Sequence, residues 1–67
     1  MNYNNWHETF VNKVKDYDFY TCRRALNDCH ASFAIWGTDI SESYATKLWA
    51  EIDALRERQM QLAREAA

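Results

Sequence analysis

Proline is absent from this 67-residue chain, and glycine occurs once, at position 37. Folds of strands and tight turns need breakers between their segments, so a mainly β architecture is excluded. Long apolar runs are missing as well. None approaches the roughly 18 uninterrupted apolar residues that a membrane span requires. Basic charge is not in excess either: eight Lys and Arg face ten Asp and Glu, a net charge of −2. No global field recruits nucleic acid, and direct DNA or RNA binding is disfavoured. The opening stretch MNYNNWHETF has no basic leader and no apolar segment, so no secretory signal is expected.

What the chain does contain is apolar mass. Hydrophobic residues make up 48%, with three Trp, four Tyr and three Phe, which argues against disorder. The length admits one domain, since chains divide at roughly 100–200 residues per domain. The expectation is an all-α fold, a single small helical domain spanning 1–67.

Cysteine is scarce, and its spacing matters. Cys22 and Cys29 are seven residues apart. On one helix their Cα atoms stand about 10.5 Å apart at 1.5 Å per residue. A disulfide tolerates no more than about 7 Å, so the two cannot bridge within that helix. Two reduced, buried thiols suit a cytoplasmic setting.

Helical periodicity divides the chain in three. Asn5 is a candidate N-cap with Glu8 in capping-box position, and Trp6, Phe10, Val11 and Val14 share a face. The first helix is therefore placed at about 6–15. It is too short to be stable alone in water. Asp18 caps the second, at about 19–36. Its apolar residues Phe19, Cys22, Leu26, Cys29, Phe33 and Trp36 recur at alternating intervals of three and four. Gly37 stands where a left-handed residue closes a helix. The third helix, about 41–65, is capped by Asp39 or Ser41. Ala45, Leu48, Ile52, Leu55, Gln59, Leu62 and Ala66 form its seam. A short connection between two long helices predicts an antiparallel hairpin, with the first helix laid across one side. Phe33, Trp36 and Trp49 are expected to fill the core near the hairpin turn.

The two long helices are unequal. At 1.5 Å per residue they run about 27 Å and about 39 Å, so the third outruns its partner by two or three turns. Leu55, Gln59, Met60 and Leu62 fall in or beside that overhang and form a candidate oligomer seam. Chains this small bury only about 60% of their unfolded surface, and scaffolds without disulfides or metal often gain stability by oligomerising. A dimer or higher homo-oligomer is one expectation; a monomer with a solvated end is the other.

Catalytic chemistry has little to stand on. Cys22, Cys29 and His30 do not converge as metal ligands, because His30 projects about 100° away from Cys29 on a helix and His7 is remote. Neither a Cys–His nucleophile pair, a phosphate loop nor an HExxH helix is present. No enzyme activity, metal or cofactor is expected. The suggestive polar feature is Tyr17-x-x-Tyr20-x-x-Arg23-Arg24. Arginine beside aromatic rings can clamp a phosphate or stack on a base, and it also dominates protein–protein hot spots. The plainer reading is two surface arginines, Arg24 pairing with Asp28 at i, i+4. Together with Trp6, these residues make the candidate partner- or ligand-binding surface: Trp6, Tyr17, Tyr20, Arg23 and Arg24.

The stretches FYTCRRALNDCHASFAIWG and YATKLWAEIDALRERQMQL, joined by a tight turn, resemble the helical hairpins of very small bacteriophage accessory proteins. That family includes counter-defence factors that block a host machine or sequester a signalling nucleotide. The resemblance rests on size, architecture and composition across most of the chain, and it carries over no functional residue. It implies stoichiometric binding to a protein partner, as a viral inhibitor of a host system. The alternative is a homo-oligomer that holds a small anionic, nucleotide-like ligand between subunits.

Overall fold

The computed structural model describes residues 2–66, which form three helices: α1 (Tyr3–Val14), α2 (Phe19–Trp36) and α3 (Glu42–Ala66). A single 3-10 turn, Gly37–Asp39, joins α2 to α3. Among the described residues there is no strand.

Each start and stop has a local cause. The α1 cap is Asn2, not Asn5: its side chain accepts the Asn5 N–H at 3.0 Å, so the helix begins one turn earlier than its periodicity predicts. Asn serves equally well at either place. The extra turn puts Tyr3 on the helix, where its hydroxyl donates to the Asp53 carboxylate. Asp18 caps α2 as expected, accepting from the Thr21 N–H at 2.7 Å. Between the two candidates for α3, Ser41 is the cap, its Oγ accepting from the Tyr44 N–H at 3.2 Å.

Gly37 closes α2 at φ 53° and ψ −128°, and its N–H donates to the Phe33 carbonyl. No atom lies within 4 Å of where a Cβ would stand, so crowding does not require glycine there. The requirement is conformational. Gly37→Ala is expected to lower unfolding stability by roughly 1–3 kcal/mol, read as a lower urea midpoint at unchanged slope.

α3 is the shared spine of the fold. Tyr3 reaches Asp53 and His7 reaches Glu57, both at an offset of fifty residues, so α1 runs parallel to α3. α2 runs antiparallel to it: Tyr17 meets Arg58 at one end, and Phe33 meets Trp49 towards the other. α1 and α2 scarcely touch each other. The result is a flattened body of 41 × 23 × 14 Å. This explains a pattern that one heptad seam does not. On α3, Leu48, Ile52 and Leu55 are buried as predicted, but so are Ala50 and Ala54. Those two small residues, one turn apart, let α1 approach closely; Ala54 borders Val11 and Val14 directly. Phe10, Val14, Cys22 and Cys29 complete the core.

Two core expectations fail at the ends of α2. Phe19 and Trp36, the first and last residues of its seam, are each 53% exposed. The α2 seam thus loses its cover at both termini. Trp49 is likewise half exposed, tilted against Phe33 with ring centroids 5.2 Å apart. The overhang of α3 is partly met by α1, since Val11, Val14 and Lys15 border Glu57, Arg58 and Gln61. Beyond Leu62 the helix is exposed.

Candidate binding surface

The residues singled out in the sequence do not form one surface. Trp6 is half-buried, stacked on Phe10 with ring centroids 5.7 Å apart, and Lys47 caps its ring at 5.1 Å from the centroid. Tyr17 is also half-buried, and its carbonyl accepts from Arg58 Nε at 2.9 Å. Lys47 and Arg58 are eleven residues apart on α3, about 16 Å along the axis. Trp6 and Tyr17 are therefore tied to different turns of α3.

Around Tyr17 a shallow groove does form. Tyr17, Tyr20, Thr21, Arg24, Ala25 and Asp28 line it, with a volume of about 260 Å³. Tyr20 is the most open of these aromatics, at 65% exposure. Arg23 is exposed but does not line the groove. Asp28 places a carboxylate in the same recess as Arg24, which works against a dianionic phosphate.

The proposed oligomer seam also divides. Leu55 has no exposed surface, because α1 and α2 flank α3 and enclose it within the single chain. It belongs to the intramolecular core and leaves the seam. Gln59 and Leu62 are half-buried, and Met60 is 55% exposed. That leaves one large apolar side chain on the overhang.

The richest exposed apolar surface lies instead at the hairpin turn, which the sequence reading assigned to the core. Trp36 and Trp49 are half exposed there and Tyr44 is partly exposed; Ile35, 78% exposed, lies two residues from Phe33 and so on another side of α2. Trp36 and Tyr44 meet edge to face, with centroids 6.5 Å apart and planes at 69°. With Asp39, Ile40 and Ser41 they line a recess of about 290 Å³. No signal in the sequence pointed here, since Trp36 continues the α2 seam in register.

The charges are distributed unevenly along the body. The segment around the hairpin turn, residues 30–53, carries Lys47 against Asp39, Glu42, Glu51 and Asp53. The other described residues, 2–29 and 54–66, carry seven basic against six acidic residues. The turn segment is net −3 and the remainder net +1.

The thiols are core residues. Burial raises the Cys22 thiol above its usual range. Burial, reinforced by the carboxylates of Glu51 and Asp28, pushes Cys29 up to about 12. Both stay protonated near neutral pH, and the thiolate is the reactive form. Native protein at pH 8 is expected to react with a disulfide reagent only as fast as it opens, with two thiols titrating promptly in denaturant. Prompt reaction of Cys29 in the folded chain would contradict its placement. Among the described residues, no three His, Cys, Asp or Glu side chains converge as metal ligands.

The hydrogen bond to Asp53, then burial, then the charges of Asp53 and Glu57 push Tyr3 up to about 12. Because the folded value exceeds the ordinary one near 10, this contact stabilises fully below pH 10 and is lost as pH rises towards 12. Tyr3→Phe is expected to flatten the stability profile between those limits, with phenolate absorbance at 295 nm reporting the titration.

A scan of family models, a search of curated proteins and a search of solved structures found no match to this chain.

Proposed function

We propose that this protein is a non-enzymatic helical binding module that acts by stoichiometric association with a protein partner through the aromatic surface at its hairpin turn. The observation that carries this reading is the exposure of Trp36, Tyr44 and Trp49 where α2 meets α3, with Trp36 packed edge to face on Tyr44. Large aromatic anchors of this kind supply most of the binding energy at protein interfaces. The small, thin body fits such a role, since it offers a surface and no deep cavity. Blocking a host machine, in the manner of the phage proteins it resembles, is the activity this reading assigns to it in the cytoplasm.

Ligand sequestration between subunits is the second reading, and the groove at Tyr20 and Arg24 is the feature that favours it. It is weaker because Asp28 shares that groove and Leu55 is unavailable to an intersubunit seam. Two measurements separate the classes. A tagged chain is expected to retain one bacterial protein saturably and at fixed stoichiometry, while a nucleotide panel leaves its melting temperature unchanged. A nucleotide-dependent rise in melting temperature that Arg24→Ala abolishes, with no saturable protein capture, overturns the proposal in favour of the second reading.

A further inference from the structure

We infer that the recess between Trp36 and Tyr44 is a receptor for a cationic side chain, the guanidinium or ammonium of a basic segment on the partner. This rests on the hairpin end being the docking surface, and it names the chemistry that surface selects.

Four observations converge. Trp36 and Tyr44 stand at 69° to each other, so they form two walls of a corner. A cation seated over the face of either ring is attracted by that ring's quadrupole. Asp39 lines the same recess, and among the described residues its carboxylate takes part in no hydrogen bond or ion pair. The cations of this chain that sit over rings are Lys13 on Phe10 and Lys47 on Trp6, which leaves Trp36 and Tyr44 unoccupied by its own side chains.

The surrounding field has the matching sign. α2 ends here with no basic residue in its last turn, so the negative end of its dipole is uncompensated. The positive end of the α3 dipole is offset by Glu42 in its first turn. The segment around the turn, residues 30–53, is net −3, while the other described residues are net +1. A basic segment is steered to the hairpin turn, and an acidic one is repelled from it. The recess, about 290 Å³, is at the lower limit of the roughly 300–1,000 Å³ typical of small-molecule sites, which suits one inserted side chain.

The test is an NMR titration of the full-length, isotope-labelled chain with N-acetyl-arginine methylamide, using N-acetyl-leucine methylamide as the neutral control. Saturable shifts are expected at the Trp36 indole N–H and at the backbone amides of Asp39 and Tyr44 with the arginine probe. Loss of one ring in Trp36→Leu is expected to weaken that binding about two- to five-fold. Asp39→Asn, a conservative change at an exposed carboxylate, weakens it as well, and Glu65→Gln at the far end of α3 leaves it unchanged. Equal or tighter binding of the leucine probe at Trp36 overturns the cation assignment while leaving the surface a docking site. An arginine probe that never shifts Trp36 also overturns it, and capture of a protein partner that still depends on Trp36 then shows that the binding-module reading survives alone.

Discussion

Leu55→Ala is expected to cost about 2–5 kcal/mol of unfolding stability. A domain of this length has only roughly 3–10 kcal/mol in total, at 0.05–0.15 kcal/mol per residue. The melting temperature followed by helical circular dichroism should therefore fall by about 8–40 °C, at 4–8 °C per kcal/mol. The reason is position: Leu55 is fully buried on the spine helix, between the flanking helices, so truncation opens a cavity that two interfaces share. Met60→Ala, one and a half turns on, makes the contrast. Its side chain is more than half exposed, and the change should lie within about 0.5 kcal/mol. Equal losses from the two substitutions would mean that the overhang, not the spine, carries the packing.

Trp36→Ala is expected to do the reverse, sparing the fold and removing function. Its ring is half exposed, and its intramolecular aromatic contact is the edge-to-face pair with Tyr44. Such a pair contributes about 0.5–1.5 kcal/mol beyond the area it buries, so the loss of stability should stay below that of the fully buried Leu55. At a binding interface a Trp anchor is worth about 2 kcal/mol or more, or roughly thirty-fold in affinity. Affinity for the captured partner should therefore fall at least about thirty-fold while the urea midpoint moves little. Tyr20→Ala, at the other end of the molecule, should leave affinity within about two-fold, because exposed side chains outside an interface contribute little to it. A partner indifferent to Trp36 and sensitive to Tyr20 would move the binding surface to the Arg24 groove.

The parts of this structure that were readable from sequence are those set by local chemistry. Asp18 and Gly37 bracket α2 as their side-chain and backbone preferences dictate, and the 3–4 spacing of Leu48, Ile52 and Leu55 marks their buried stripe. The parts that were not readable depend on which neighbour each helix face meets. Asn2 and Asn5 are equivalent caps in isolation. Only the reach of Tyr3 to Asp53 across fifty residues shows what the earlier start accomplishes. Ala50 and Ala54 signal little by hydrophobicity, yet their small size is what admits α1 as a second partner for α3. That second partner enclosed Leu55, which a two-helix hairpin would have left open.

The exposed aromatic residues were misassigned for the same reason. Trp36 continues the α2 seam in perfect register, and register alone predicts burial. The seam outruns its cover at both ends of α2, so Trp36 emerges into solvent beside Tyr44. Trp6, by contrast, looked free on a short helix and is half-covered, with Lys47 on its ring. Aromatic residues in a small bundle thus exchange roles according to where each helix stops.

Photo-cross-linking separates these surfaces most directly. A benzophenone amino acid is placed at position 36, 20 or 60 in otherwise unchanged full-length chains, which are then irradiated in a bacterial lysate. Position 36 is expected to give one discrete adduct with a protein partner, and positions 20 and 60 to give none of comparable yield. A discrete adduct from position 20 with none from 36, or an adduct from 60 at twice the chain mass, would contradict binding through the hairpin turn.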